Sequence, residues 1–298
     1  MIKFSEIFLS LIFVIGVIHI SYSQSKYGNE WINPSKTYYK IKVAENGIYK
    51  VTYEDLVSAG LSQGVIQGSV LQLINHGKEQ AIHVNGNVFG PGAWFEFYGK
   101  KNTIGLDSLL YKDWKKDLLN PDYSFVTDTN VYFLTLSPET SNLRYTLVNP
   151  DYINITLSPF PYYLHEEKVV YSSTFFKNVD GDIRYSHFEP SEGFASGVLQ
   201  VSNTTINTSG YLESGPAPVL SFRTGQNNQV SRLEIRWNNT LKETRLLNPK
   251  LTTQHNFILD KSELKTSNVL NLRNVNTTLD RHIISNAAVR YPKIFDFN

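Results

Sequence analysis

The sequence predicts an all-β protein with two antiparallel β-sandwich or jelly-roll-like domains and one short helix. Its composition is the first observation: 13% of the residues are aromatic, with 18 Tyr and 17 Phe, and only 18% are charged. Aromatic and β-branched side chains favour the half-buried faces of strands. The second observation is a series of short runs in which apolar and polar residues alternate, as they do in strands. The third is the turn residues between these runs, at the spacing of an antiparallel sandwich.

The amino terminus has the features of a secretory signal peptide. Lys3 precedes an apolar run at residues 7–18, and the small residues Ser21 and Ser23 end the segment at a cleavage site after Ser23. An uncleaved membrane anchor is the alternative, but the run is shorter than the roughly 20 residues that a spanning helix needs. We expect residues 1–23 to be removed and the mature chain, which has no further transmembrane helix, to be exported.

The first β-rich domain is expected over residues 24–157. Asn46-Gly47 separates two alternating runs and predicts a tight hairpin turn between them. Thr52 then precedes the only convincing helix start, with Asp55 three residues on and Gly60 as the stop. Further strands are predicted at residues 38–43, 48–51, 70–74, 81–84, 94–98 and 130–136.

The second domain, a jelly-roll-like sandwich, is expected over residues 158–298. Pro159 and Pro161 interrupt any regular strand and place the boundary near residue 157. Strands are predicted at residues 233–237, 241–246, 257–259, 269–272 and 287–291, with Asn238-Asn239 as the turn between the first two. We expect the strand at residues 287–291 to close its sheet, and Pro292 to end its pairing because proline has no N–H.

Composition excludes several classes of function. The formal net charge is +1 and no basic run follows the pattern of a phosphate-binding surface, so nucleic acid is not an expected partner. The chain contains no cysteine. Disulfides, thiolate metal sites and a cysteine nucleophile within the chain are therefore excluded.

No metal or cofactor site is expected, although two stretches carry ligand-type residues. His165, Glu166 and Glu167 are adjacent, and adjacent strand residues point to opposite faces, so they cannot converge on one metal. Asp180 and Asp182 flank Gly181 and are the calcium candidates on ligand type alone. Their spacing is not that of an EF-hand loop, and a turn at Gly181 explains the stretch more simply.

No catalytic residue is identified from motifs. The sequence has no Gly-x-Ser-x-Gly elbow, P-loop or dinucleotide-binding glycine pattern. Six carboxylates could supply a glycosidase pair, which is defined by separation in space: Glu96, Asp107, Asp113, Asp117, Asp122 and Asp128. A solvated acidic loop is the commoner explanation for the five aspartates.

Five stretches together resemble the amino-terminal region of PorU-type proteins of the type IX secretion system, relatives of gingipain-like cysteine peptidases. They are "NGIYKVTYEDLVSAG", "WFEFYGKKNTIGLDSLLY", "NPDYSFVTDTNVYFLTLS", "YYLHEEKVVYSSTFF" and "AAVRYPKIF". They occur in the family's order and span residues 46–295. Phe194 stands where the family pattern leads us to expect tryptophan.

The resemblance implies β-rich domains followed by a caspase-like peptidase domain with a His/Cys dyad. That domain is not within residues 1–298, so we expect either a fragment of a larger sortase-like peptidase or a family member without its enzyme. Whether the parent protein is an enzyme therefore stays open. The implied role is scaffolding of the peptidase domain and docking of an outer-membrane component of the secretion system or of cargo proteins. The implied location is the periplasm, outer membrane or surface of a Gram-negative bacterium.

In the same interpretation, the aromatic residues Trp94, Phe95, Phe97 and Tyr98 mostly fill a sandwich core. The Asp-rich loop after Gly99 is then solvated structure or a docking surface.

Two alternatives come from other functional classes. A secreted carbohydrate-binding sandwich could use Trp237, Tyr211 or Trp114 as a flat platform, although Trp237 shares a face with apolar residues and is equally explained as core. A calcium-dependent adhesin would use Asp180 and Asp182.

Overall fold

The structure is a computed structural model that describes residues 28–138, 141–146, 148, 158–177, 187–226, 230–276 and 279–296. The expected signal peptide, Asp180 and Asp182 lie outside the described residues. Antiparallel sheets with two short helices make up the fold, so the all-β prediction is confirmed. Within the described part of the chain, none of the helices has the length and apolar character of a bilayer-spanning segment.

The chain divides into two compact units. The first comprises Met1–Lys100 and Val131–Leu147, and the second comprises Lys101–Asn130 and Val148–Asn298. Residues 101–130 therefore group with the second unit, although the sequence places them in the first domain. The boundary near residue 157 stays a prediction.

In its described residues, the first unit contains nine strands and one helix, α1 (Tyr53–Ser58). The strands are β1 (Tyr39–Val43), β2 (Gly47–Thr52), β3 (Ile66–Gln67), β4 (Leu71–Asn75), β5 (Lys78–Gln80), β6 (His83–Val84), β7 (Val88–Phe89), β8 (Trp94–Gly99) and β9 (Asn130–Leu136). They form sheets in the orders β1-β9-β4-β5 and β2-β8-β6, with β3-β7 as a separate pair.

Helix α1 begins where the sequence predicts it. The Thr52 hydroxyl accepts a hydrogen bond from the Asp55 N–H at 3.1 Å, and the Asp55 carboxylate accepts from the Thr52 N–H at 2.9 Å. These reciprocal bonds satisfy two backbone donors that a helix start leaves free. They also lower the pKa of Asp55, chiefly through the bond from the Thr52 backbone.

The core of the first unit is shared by its two larger sheets. Phe95 and Phe97 of β8 are buried and pack with Leu71 and Leu73 of β4 and Leu134 of β9. The expectation that the aromatic residues of β8 mostly fill the core holds for these two phenylalanines.

Trp94 and Tyr98 lie on the opposite face of β8 from Phe95 and Phe97. Trp94 is half-buried, and Tyr98 is 47% exposed on the outer face. The expectation that Tyr98 is a core residue is therefore wrong, because strand residues of opposite parity point to opposite faces.

The prediction of a hairpin turn at Asn46-Gly47 is wrong. Strand β1 lies in the sheet that contains β9, whereas β2 pairs with β8 in the other sheet. The chain therefore passes from one sheet to the other between Val43 and Gly47, and neither Asn46 nor Gly47 has a positive φ.

The part of the second unit that the structure describes contains ten strands and one short helix, α2 (Trp114–Asp117). The strands are β10 (Tyr163–Val170), β11 (Thr174–Phe176), β12 (Gly193–Ala195), β13 (Val201–Asn207), β14 (Val219–Gln226), β15 (Ser231–Trp237), β16 (Thr240–Leu247), β17 (Thr252–Ile258), β18 (Ser267–Asn274) and β19 (His282–Lys293). They form sheets in the orders β10-β19-β14-β17 and β13-β18-β15-β16, with β11-β12 as a separate pair.

Both four-stranded sheets of the second unit contribute to one core, which makes the unit a sandwich. Leu233, Ile235 and Trp237 of β15 are fully buried against Phe222 of β14 and Val289 of β19. The alternation predicted for β15 is therefore confirmed.

The turn predicted at Asn238-Asn239 is also confirmed. The φ angles of these residues are 48° and 71°, and they join β15 to its antiparallel neighbour β16. Asparagine tolerates this left-handed conformation better than most residues, as a two-residue hairpin turn requires.

Strand β19 is longer and more central than the sequence predicts. It runs from His282 to Lys293 and lies between β10 and β14. Pro292 stays within the strand, opposite Leu164 of β10, and its carbonyl accepts from the Leu212 N–H at 2.9 Å. The expectation that Pro292 ends the pairing is wrong, because a proline at this position still offers its carbonyl.

The segment 101–130 is only in part the solvated structure that its aspartates suggest, because Asp113 and Asp128 are exposed whereas other residues of the segment are packed. Leu118, Leu119 and Asn120 are buried, and the Asp107 carboxylate is 2% exposed. Asp107 accepts from the Phe125 N–H at 2.7 Å. The segment is part of the packed structure of the second unit.

Candidate binding groove

A groove of about 530 Å³ opens on the surface of the first unit. One wall is β6 and the turn that follows it, and the other is formed by Arg144 and Tyr145. Ile82, which precedes β6, forms a parallel bridge with Arg144 and so holds the two walls in place. The volume lies within the range of roughly 300 to 1,000 Å³ that is typical of ligand sites.

Gly68 lies in the groove because a larger residue would not fit there. A Cβ at this position would lie 2.9 Å from Val84 Cγ1 and 3.3 Å from the carbonyl oxygen of Asn87. The Gly68 N–H donates to that same carbonyl at 2.8 Å. Close approach of the two backbones therefore determines the shape of this end of the groove.

Arg144 ties together the backbone beside the groove. Its Nη2 donates to the carbonyls of Gly68, Ser69 and Leu71 at 2.7, 3.0 and 3.0 Å. Among the described residues it forms no ion pair with a carboxylate. Burial lowers the pKa of Arg144, and the charge of Glu79 partly opposes this effect. The Glu79 carboxylate itself accepts from the Leu143 N–H and the Gln72 amide.

Four polar side chains line the groove without a hydrogen-bond partner among the described residues. They are Gln67, Ser69, His83 and Asn87, and all four are exposed. Tyr145 also lines the groove, and its hydroxyl accepts from the Tyr98 N–H at 2.9 Å. Among the described residues that line the groove there is no carboxylate, so Arg144 gives the groove a positive charge beside polar side chains that can donate hydrogen bonds.

The backbone of Val84 faces the groove. The Asn85 N–H donates to the Trp94 carbonyl at 2.9 Å, and His83 lies opposite Glu96 in the same ladder. Because backbone groups of successive strand residues alternate in direction, the N–H and C=O of Val84 point away from β8. The described residues provide no partner for them.

The ring of Trp94, which lies beside the groove, is in contact with two neighbouring side chains. The Lys50 Nζ lies 4.6 Å from the centroid of the Trp94 ring, and the His83 ring lies 5.7 Å from it. Trp94 therefore does not present a free flat face.

Among the described residues, four of the six carboxylates accept hydrogen bonds, namely those of Asp107, Asp117, Asp122 and Asp128. Asp122 accepts from Lys168 at 3.1 Å and from the Asn286 amide at 2.8 Å. Asp117 accepts from the Asp113 N–H at 3.3 Å, and Asp128 from the Thr129 hydroxyl at 3.1 Å. Glu96 lies on the half-buried face of β8, and Asp107 is buried.

The aromatic residues suggested for carbohydrate binding are poorly placed for that role. Trp237 is fully buried, and its Nε1–H donates to the Glu263 carbonyl at 3.2 Å, so its use as a platform is excluded. Tyr211 is half-buried beside Tyr291. Trp114 is 36% exposed, with Lys115 5.9 Å from its ring centroid.

Two buried histidines lie inside the second unit. His282 donates from Nδ1 to the Asn274 amide oxygen at 2.7 Å and accepts at Nε2 from the Ser202 hydroxyl at 2.8 Å. Burial lowers the pKa of His282 to about 4.

Burial keeps His255 neutral, as it does His282. Its Nδ1 accepts from Arg245 at 3.2 Å, and its Nε2 donates to the Thr224 hydroxyl at 2.8 Å. Burial, and to a smaller extent the charges of Arg245 and His282, lowers the pKa of His255 to about 3. Neither histidine reaches an open cleft in these contacts, so both are structural.

The stretch His165-Glu166-Glu167 is divided between two faces of β10. His165 lies 3.4 Å from Glu167, whereas Glu166 pairs with Lys168 at 3.0 Å. Among the described residues, no group of three His, Asp or Glu side chains could hold a metal ion.

Sequence reasoning missed the groove. Gly68, Val84 and Arg144 are far apart in the chain, and none belongs to a motif. Only their common position in the fold brings them together.

Comparisons with known proteins bear on the fold. No family model matches the chain, and no curated protein matches its sequence. Among solved structures, the chain is similar to dimeric latent PorU from Porphyromonas gingivalis, with a TM-score of 0.53 and 12% identity. The likeness covers 87% of this chain and 24% of the PorU chain. The chain thus spans about a quarter of the length of that protein.

Two other similarities are weaker. One is to a CBM36-1 domain of a multidomain xylanase from the hindgut metagenome of Trinervitermes trinervoides, with 9% identity and a TM-score of 0.26, over 43% of this chain and 96% of that domain. The other is to a β-porphyranase of glycoside hydrolase family 86 from Bacteroides plebeius, with 10% identity and a TM-score of 0.25, over 89% and 36% of the chains. Neither carries an inference. The likeness to PorU shows a shared all-β fold.

Proposed function

We propose that this chain is a non-catalytic, exported β-sandwich region of a type IX secretion sortase-like protein, and that it acts by docking and scaffolding. The observation that carries the proposal is the fold likeness to PorU over 87% of the chain. The five sequence stretches in the order of PorU-type proteins support the same assignment independently of the fold.

A binding role fits the chemistry of the chain better than a catalytic one. The chain has no cysteine, so it cannot supply the thiolate that the resembling peptidases use. Ser202, His282 and Asn274 form a hydrogen-bonded series of the kind that can activate a serine. Ser202 is only 7% exposed, however, and a peptide bond would have no access to its hydroxyl.

The proposed location is the periplasm, outer membrane or surface of a Gram-negative bacterium. The signal-peptide features of residues 1–23 support export. The proposed partners are an outer-membrane component of the secretion system and cargo proteins.

Crosslinking in a bacterium with a type IX system tests this role. The chain would be expressed with residues 1–23 and a carboxy-terminal tag, crosslinked in intact cells and purified for mass spectrometry. We expect crosslinks to an outer-membrane component of the secretion apparatus. A matched chain that lacks residues 1–23 should stay in the cytoplasm and give none. Equal crosslinking of both chains, or crosslinks to cytoplasmic proteins only, would contradict the proposal.

A further inference from the structure

The groove in the first unit carries a positive charge that no lining residue neutralises. The Arg144 guanidinium donates to four backbone carbonyls, three from Nη2 and that of Leu143 from Nη1 at 2.8 Å, and these accept hydrogen bonds but carry no net charge. Glu79 lies near enough to influence Arg144, but its oxygens accept from Leu143 and Gln72 instead. A ligand with a carboxylate would therefore gain more in this groove than a neutral one.

The same groove exposes the backbone of a strand edge. Ile82 already accepts a short parallel partner: its N–H donates to the Leu143 carbonyl at 3.4 Å, and its C=O accepts from the Tyr145 N–H at 3.1 Å. Val84, two residues further on, presents its N–H and C=O on the same side. A donor and an acceptor at this spacing match the backbone of one extended peptide residue.

We infer that the groove binds a short extended peptide, which adds to the edge of β6 at Val84 and directs a carboxylate towards Arg144. The side chains of Ser69 and Asn87 would contribute hydrogen bonds, since neither has a partner among the described residues. The ligand class is thus an acidic segment of a protein chain in extended conformation.

A peptide fits the groove better than an acidic saccharide. Saccharides bind well on flat aromatic faces, and Trp94 is already covered by Lys50 and contacted by His83. A strand edge with an unpaired N–H and C=O is instead specific for another backbone. The inference deepens the proposed function, on which it rests, because it gives a docking region one defined ligand.

Binding of labelled pentapeptides to the full chain, measured by fluorescence anisotropy, tests the inference. The probe has alternating threonine and valine with glutamate at its centre and blocked termini. One control peptide carries glutamine at the centre, and a second is N-methylated along its backbone. We expect each control to bind about tenfold more weakly, because one loses the charged hydrogen bond and the other loses the strand pairing.

Variants of the chain locate the site. Arg144→Gln should weaken binding of the glutamate peptide about tenfold and leave binding of the glutamine peptide nearly unchanged. Arg273→Gln removes an exposed arginine of β18 and is the matched control, with no expected effect. Asn87→Ala, on the exposed rim, should weaken binding about twofold to tenfold while keeping the fold. If the Arg144→Gln variant does not fold, the binding measured for Asn87→Ala decides whether the groove is the peptide site.

Three results would overturn the inference. The first is equal binding of the glutamate and glutamine peptides, and the second is equal effects of the Arg144 and Arg273 variants. The third is binding of trigalacturonate, an acidic trisaccharide, by a chain that binds none of the peptides. Because the measurement uses the chain alone and short peptides, these results would leave the crosslinking to secretion components untouched. Absent crosslinks with intact peptide binding would instead contradict only the secretion role.

Discussion

Arg223 of β14 donates from Nη1 to the backbone carbonyl of Leu118 at 2.7 Å, across 105 residues of sequence. Ser285 of β19 donates to the neighbouring Leu119 carbonyl at 2.6 Å. The segment before β9 is thus fastened to the sheet β10-β19-β14-β17 by side chains that satisfy its carbonyls. This explains why residues 101–130 group with the second unit.

Removal of the Arg223 contact should destabilise the second unit. Arg223→Met leaves the Leu118 carbonyl buried without its charged donor, so we expect the free energy of unfolding to fall by about 1.5–3 kcal/mol. Arg273→Met, an exposed change in the same unit, should cost less than about 0.5 kcal/mol. Urea unfolding followed by circular dichroism measures both. Equal losses would show that residues 101–130 are not fastened by this bond.

Acid should destabilise the chain through His255 and His282. Their pKa values in the folded state, about 3 and about 4, lie below the ordinary value of 6.5. The unfolded chain therefore takes up protons that the folded chain does not, and stability is lost as the pH falls below about 6.5. Each histidine should contribute a loss of up to about 3 kcal/mol by pH 4. Thermal melts between pH 7 and pH 4 measure this loss.

The control for this pH dependence is His282→Gln. Glutamine does not titrate, so the variant should lose less stability between pH 7 and pH 4 than the parent chain, whatever its stability at pH 7. Parallel pH profiles would mean that His282 is not the group responsible.

Gly68→Ala should disturb the groove and the strands that form it. The new Cβ would lie 2.9 Å from Val84 Cγ1 and 3.3 Å from the carbonyl oxygens of Gly86 and Asn87, so the Val84 side chain or the turn after β6 must shift, at a cost of about 1–3 kcal/mol. Gly47→Ala is the control, because nothing lies within 4 Å of a Cβ there and its φ is ordinary. Denaturant midpoints of the two variants should differ clearly. If they coincide, the close approach at Gly68 does not constrain the groove.

Trp237→Ala should be among the most damaging single changes in the second unit. The side chain is fully buried between the sheets, and such a truncation costs about 3–5 kcal/mol. Trp114→Ala, at a partly exposed position, should cost less than about 1 kcal/mol. Calorimetric melting temperatures provide the comparison. A mild effect of Trp237→Ala would restore its candidacy as a surface platform.

Local signals predicted the elements whose causes are local. The alternation of Leu233, Ile235 and Trp237 predicted β15, and the Thr52–Asp55 pair predicted the start of α1. Asn238-Asn239 predicted a true hairpin, whereas the stronger signal at Asn46-Gly47 did not. The difference is that β1 and β2 each pair with a strand far away in sequence, which no turn residue can reveal.

The features that depend on distant contacts could not be predicted. The aspartates of segment 101–130 suggested solvation. Only the fold shows that the carbonyls of Leu118 and Leu119 accept hydrogen bonds from Arg223 and Ser285. Likewise, Arg144 gave no signal in sequence, because its role comes from three carbonyls more than 70 residues earlier.

Incubation of the purified chain with the carboxy-terminal signal region of an exported cargo tests the central claim most directly. Biolayer interferometry would report binding, and intact mass spectrometry would report the state of the cargo afterwards. We predict saturable binding with the cargo mass unchanged, because the proposed role is docking and the sequence contains no cysteine that could act as the nucleophile. Cargo cleavage that survives purification of the chain to homogeneity, or the absence of any binding, would contradict the account.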